Sequence, residues 1–193
     1  MSNVYESIRI NCRDFNCEEG IQCLKANLGD NNAYDSYMAI VPGKFLADIY
    51  LKHGSRLLEG NVRAFLSVRG KVNRKIRETI IGKHPENFFT YNNGIAVVAH
   101  SIELSSDGAR ILSFNDFQII NGGQTTASLA SAIVKKEAGA DNFAKIFVPM
   151  KLTVLNVDGD LSELGFEERV NYAVLKEIIA ETKEKDLYKA LED

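Results

Sequence analysis

The feature that most restricts how this chain can fold is the run Ile119-Ile120-Asn121-Gly122-Gly123-Gln124-Thr125-Thr126. Phe117 to Ile120 has the apolar, β-branched character of a buried strand, and Ala127, Ala130, Ile133 and Val134 then recur at helical spacing towards Gly139. A strand that passes straight into a helix through two glycines commits the chain to layered α/β structure. The same turn has chemistry. Glycines let the backbone approach a ligand closely. The first N–H groups of a helix lack intrahelical acceptors, and the helix dipole favours negative charge there. Asn121 and Gln124 add amides, and Thr125 and Thr126 add hydroxyls, all able to donate and accept. Asn121, Gly122, Gly123, Gln124, Thr125 and Thr126 are therefore candidate phosphate ligands. No lysine follows the glycines, and the dinucleotide fingerprint spacing is missing, so neither familiar phosphate loop is present. On the residues alone, a tight strand-to-helix connection capped by Thr or Asn, with no ligand, is the simpler reading.

The rest of the chain fits a mixed α/β domain. Ser36 to Val41 reads as a strand stopped by Pro42-Gly43, and Phe45, Leu46, Ile49 and Tyr50 mark an amphipathic helix over Lys44–His53 that Gly54 ends. Leu58, Val62, Phe65 and Leu66 predict a second, broken helix as far as Gly70. Val72, Ile76 and Ile80 predict a third, with Lys71, Arg74, Lys75 and Glu78 on its opposite face. Phe88–Tyr91 and Ile95–Leu104 flank Asn92-Asn93-Gly94, which predicts a hairpin whose type I′ turn needs positive φ. Ser105–Gly108 is a further turn, Ala109–Phe114 and Ile146–Val154 are strands, and Phe166–Lys185 is an amphipathic helix with Val170, Val174 and Ile178 inward. The expected organisation is one domain, 1–193. It comprises an N-terminal extension (1–35), a basic helical lobe (36–84), a mixed sheet with the glycine turn (85–155) and an acidic helical tail (156–193).

Charge is unevenly distributed. Between Asn61 and His84, Arg63, Arg69, Lys71, Arg74, Lys75, Arg77 and Lys83 face a single acid, Glu78, whereas 156–193 holds eleven acids against five bases. Arg63, Arg69, Lys71, Arg74, Lys75 and Arg77 could form a surface that neutralises nucleic-acid phosphates, or simply a solvated helix face. The formal net charge of −3 argues against a wholly basic nucleic-acid binder.

The longest apolar run, Ile95 to Ala99, is far below the ~18–20 residues of a membrane span, and no basic start leads into an apolar stretch and cleavage-like site. The expectation is a cytoplasmic protein without membrane contact or secretory signal. Cys12, Cys17 and Cys23 are odd in number and lack zinc-site spacing, and His53, His84 and His100 are scattered. Reduced thiols and no metal ligands or cofactor are expected.

Several segments together resemble the abortive-infection phage-resistance (AIPR) family. They are Asn61-Val62-Arg63 with Phe65-Leu66, Val72-Asn73 with Ile76-Arg77, Pro85-Glu86-Asn87-Phe88-Phe89, Tyr91-Asn92-Asn93-Gly94-Ile95 and Ile119 through Thr126. The resemblance covers Tyr37 to Leu155 and implies a role in defence against phage. The strand-turn-helix unit is also similar, more loosely, to the Asp-Gly-x-x-Arg unit of ParB and sulfiredoxin-like domains, whose helix start holds nucleotide phosphates. Thr125 stands where that arginine would fall, so positive charge would have to come from residues 63–77. Family members are usually longer and carry an Asn/Gln-rich segment after the strand represented by Phe147 to Leu155. Here Asn171 is the one amide in Arg169–Val174, so the second half of a composite site is either missing or supplied by another chain.

Three functions stay open. The first is a nucleic-acid or nucleotide phosphate-binding module, with Asn92 and Asn93 reading a base edge or sugar beside the glycine turn. The second is a metal-dependent nuclease or nucleotide hydrolase, for which Glu103, Asp107 and Asp116 are the nearest acids but form no recognisable motif. The third is a protein-interaction module docking a defence-system partner or a second copy as a homodimer.

Overall fold

The computed structural model describes residues 8–26, 34–58 and 71–155, with the side chains of 71–73 excepted. Its strands are β1 (Arg9–Asn11), β2 (Ile21–Lys25), β3 (Tyr34–Pro42), β4 (Ile95–Ala99), β5 (Ser101–Leu104), β6 (Arg110–Asn115), β7 (Gln118–Asn121) and β8 (Phe147–Leu155). The helices are α1 (Gly43–His53), α2 (Lys71–Ile81), α3 (Phe88–Tyr91), α4 (Gly123–Val134) and α5 (Ala140–Phe143). The fold is α/β with a mixed sheet, as the patterning implies.

The centre of the sheet is the antiparallel pair β3–β8, in register from Tyr34 opposite Leu155 to Pro42 opposite Phe147. Alternation drives it: Tyr37, Ala39 and Val41 on one strand and Val148, Met150, Leu152 and Val154 on the other turn to the same buried face. β4 joins β8 in parallel, from Ile95 opposite Met150 to Ala99 opposite Val154, and its other edge pairs antiparallel with β7. β4 and β5 follow one another across a bend at His100, and β6 and β7 across Asp116, so they are the two arms of one long hairpin. One half of that hairpin is stitched to β8 through β4, the other to β2 through β6, and β2 pairs with β3. The ladder thus runs round a ring, which curls the sheet and removes most of its open edges.

Helix α1 leaves β3 at Pro42-Gly43, where the Gly43 N–H donates to the Ile146 carbonyl at 2.8 Å. Phe45, Leu46 and Ile49 face inward as the spacing predicts, each worth about 1.5–3 kcal/mol when fully buried. Helix α4 lies between α1 and α2, burying Leu129, Ala130 and Ala132. Ile80 of α2 is buried while Arg74, Lys75 and Glu78 are exposed, so that helix has the predicted orientation. Asn142 of α5 donates to the Ile80 and Gly82 carbonyls at 3.0 and 3.4 Å, closing the end of α2.

Four expectations are corrected. Phe88–Tyr91 is a helical turn rather than a strand, so Asn92-Asn93-Gly94 joins helix to strand and is no hairpin turn. Pro85, its φ preset for a helical start, opens a 3₁₀ turn that runs directly into α3. The single strand foreseen over Ile95–Leu104 is split at His100, and α4 begins at Gly123 rather than Ala127 and ends at Val134. Leu58, placed at the start of a second helix, instead forms an extended bridge with Ile119. The remainder of that helix and the one over Phe166–Lys185 lie outside the described residues. β1 and β2, which the patterning did not reveal, pair with β6.

All three cysteines are free. Burial pushes the Cys12 thiol up to about 12, and its Sγ donates to the Ile111 carbonyl at 3.3 Å. Because the folded state favours the neutral thiol, its stabilising contribution is complete below about pH 9 and is lost as pH rises towards 12. Cys12→Ala is therefore expected to show a shallower loss of stability than the parent between pH 8 and 11. Urea unfolding across that range checks this, and identical slopes would contradict it.

Candidate functional site

Two glycines bring the site together. Gly94 (φ +83°) and Gly122 (φ +86°) both occupy the left-handed region, which costs a residue with a side chain about 1–2 kcal/mol. A β-carbon on Gly122 would lie 2.7 Å from the Gly94 carbonyl oxygen and 2.6 Å from Ile95 Cγ2, while one on Gly94 would run into the Pro149 carbonyl. The β7–α4 turn can therefore meet the Asn92–Gly94 loop only because Gly122 carries no side chain, and that loop can lie against β8 only because Gly94 carries none.

Asn92 locks the two together. Its Oδ1 accepts from the Gly94 N–H at 2.8 Å, and its Nδ2 donates to Thr125 Oγ1 at 3.1 Å. Asn92 and Thr125 are thus occupied with each other. Helix α4 starts without a side-chain cap, since its N-cap is Gly122 rather than the Thr or Asn of the ligand-free reading. The Thr125 and Thr126 amides turn back to the Gly122 carbonyl at 3.0 and 3.3 Å. Among the described residues nothing accepts from the Gly123 or Gln124 N–H.

Beside this junction lies an open cleft of about 720 Å³, lined by residues of α2, α3, the Asn92–Gly94 loop and the start of α4. That volume falls within the ~300–1,000 Å³ of small-ligand sites. Ile76 and Phe88 contribute apolar surface, Tyr91 an exposed ring, and Asn93, Asn121 and Gln124 contribute amides. Lys75 and Glu78 contribute charge of opposite sign.

Five of the eight residues assigned to phosphate or nucleotide binding from the sequence line this cleft: Asn92, Asn93, Asn121, Gln124 and Thr125. Gly122, Gly123 and Thr126 do not line it, Gly123 and Thr126 being buried, and Thr126 Oγ1 has no hydrogen-bond partner among the described residues. The basic set converges less. Lys75 reaches the cleft, whereas Arg74 pairs with Glu78 at 3.2 Å. Arg77 forms a two-pronged pair with Glu137, its Nε donating to Oε2 at 2.7 Å and its Nη2 to Oε1. That guanidinium holds the Glu137 carboxyl below its usual range. Arg63 and Arg69 lie outside the described residues, as does the side chain of Lys71. The acids singled out for metal chemistry serve turns and strands: Glu103 accepts from Ser113 at 3.1 Å, and Asp107 accepts from Ser105 and the Ala109 N–H. Asp116 adopts positive φ in the bend between β6 and β7. Among the described residues no three His, Cys, Asp or Glu side chains gather into a metal-binding group. Tyr91 is a cleft residue that sequence reasoning missed. Its helical context, not visible from the Phe-Phe-Thr-Tyr strand pattern, turns it out to 72% exposure.

An α/β protein with an uncapped helix start beside a polar cleft is the class that fold and site define. The AIPR protein family model matches residues 58–178, more than half of the chain, and the chain belongs to that family, which is associated with abortive-infection defence against phage. No curated protein and no solved structure gives a significant match. No helix among the described residues is long and apolar enough to cross a membrane.

Gly122→Ala is expected to lower unfolding stability by at least about 1–2 kcal/mol, read as a reduced urea midpoint. An unchanged midpoint would show that the turn tolerates a side chain. Asn92→Ala should cost about 1–3 kcal/mol through the lost Gly94 and Thr125 bonds, and Asn92→Asp, which keeps the acceptor for Gly94, should cost less.

Proposed function

We propose that this cleft binds the phosphate group of a nucleotide or nucleic acid, as a recognition step in the defence role of the family. The observation that carries the reading is the meeting of an uncapped helix start with Lys75, Asn93, Asn121 and Gln124, all in one cleft. The Gln124 N–H is a backbone donor with no acceptor among the described residues, aligned with the positive end of the α4 dipole. The side-chain amides supply donors and acceptors for the sugar or base that the phosphate carries. Lys75 adds the mobile cation.

The alternative readings have less support. Hydrolysis assisted by a metal needs convergent carboxylates, and Glu78, engaged with Arg74, is the acid among the cleft residues. A phosphate held chiefly by amides and one lysine suits binding better than cleavage.

A thermal-shift series with mononucleotides and short DNA and RNA strands tests the proposal. A ligand at one hundred times its dissociation constant adds roughly 2.7 kcal/mol of stability. Affinity is expected to fall with salt, and Lys75→Ala to reduce the salt slope by about one phosphate equivalent, with Gln124→Ala weakening binding at every salt concentration. Absence of a shift with any nucleotide or strand would contradict the reading.

A further inference from the structure

Among the described residues the charge in the cleft is sparse. Of the three marked basic residues whose side chains are described, Arg74, Lys75 and Arg77, Lys75 is the one that lines the cleft, and Glu78 lines it too. Arg77 is tied to Glu137 and Arg74 to Glu78. A site for a duplex backbone or a polyphosphate would need several convergent, unpaired cations. What this cleft has instead is planar, neutral recognition chemistry.

Three primary amides, Asn93, Asn121 and Gln124, share the cleft with the ring of Tyr91, over a floor that includes Phe88 and Ile76. Asn93 and Asn121 are exposed and Gln124 half-buried, and none has a side-chain partner among the described residues. Tyr91 is 72% exposed although the neighbouring Phe88 is buried at 1%. A large aromatic held in the open beside unpaired amides leaves apolar area in water that a flat ligand would cover. Side-chain amides match the adjacent donor and acceptor of an adenine edge, and an exposed aromatic ring is a stacking platform for an unpaired base.

We infer that the cleft takes a single unpaired nucleobase, adenine by preference, stacked on Tyr91 and read by Asn93, Asn121 and Gln124, with one phosphate at the start of α4. This rests on the phosphate-binding reading above and narrows it to the base. A free mononucleotide and a base splayed from a single strand present the same chemistry. A base inside a duplex does not, because its face is stacked.

The test is calorimetric titration of the full chain with adenosine, guanosine and cytidine monophosphates, ribose 5-phosphate, a six-nucleotide oligoadenylate and a duplex of equal length. The expected result is binding of adenosine monophosphate or oligoadenylate at least about tenfold tighter than ribose 5-phosphate or the duplex. A preference for the strand over the mononucleotide identifies the strand as the source, and equal affinities identify the nucleotide. Tyr91→Ala should weaken binding roughly tenfold or more, while Tyr91→Phe, which keeps the stacking face, should stay within about threefold of the parent. Ribose 5-phosphate binding as tightly as the nucleotide, with Tyr91→Ala unchanged, would overturn the base assignment and leave the phosphate reading intact. No binding of any of the six would overturn both.

Discussion

Close contact between two glycine backbones is the constraint on which the site depends. Gly122 must sit against the Gly94 carbonyl, and both residues must hold positive φ, for the loop before β4 to meet the turn after β7. Those strands are neighbours in the sheet, Ala96 lying opposite Asn121, so the ladder delivers the two turns to the same end. Asn92 then fixes their separation with one bond to its own loop and one to Thr125. The sheet sets the approach, the glycines permit it, and the asparagine holds it. The start of α4 has no side-chain cap, because its N-cap residue is Gly122, which has no side chain.

The parts of this architecture that depend on local pattern were legible in the sequence. Phe45, Leu46 and Ile49 recur at helical spacing and are buried as that spacing requires, and the alternation in β3 and β8 is plain. The glycine turn was equally visible, since few sequences pass from apolar strand to helix through Asn-Gly-Gly-Gln-Thr. What local pattern could not convey is set by contacts distant in sequence. Asn-Asn-Gly carries a strong hairpin signal, but Phe88 is buried as part of a helical turn begun at Pro85, and tertiary packing overrides the strand propensity of Phe-Phe-Thr-Tyr. β1 and β2 are short, with interrupted alternation, and exist because β6 offers them an edge.

The basic segment shows how composition differs from function. Its charges are clustered in sequence, but those described on α2 have different surroundings. Arg77 finds Glu137 just past the end of α4, sixty residues away, which ties α2 to the turn that follows α4. An i, i+4 pair occupies Arg74. Lys75, between them in sequence, is the one of these three that lines the cleft. Among the described residues the site is polar rather than strongly charged, so on the proposed reading its selectivity comes from hydrogen-bond geometry and ring stacking more than from long-range attraction.

The most direct examination of this arrangement is a heteronuclear NMR titration of the full chain with adenosine monophosphate, following backbone and side-chain amides together. The backbone resonance of Gln124 and the side-chain amides of Asn93 and Asn121 should move along one saturable curve, while the β3–β8 pair at the centre of the sheet stays still. Contradiction would come from a Gln124 amide already protected against solvent exchange in the free protein, or from perturbations that leave these three residues untouched.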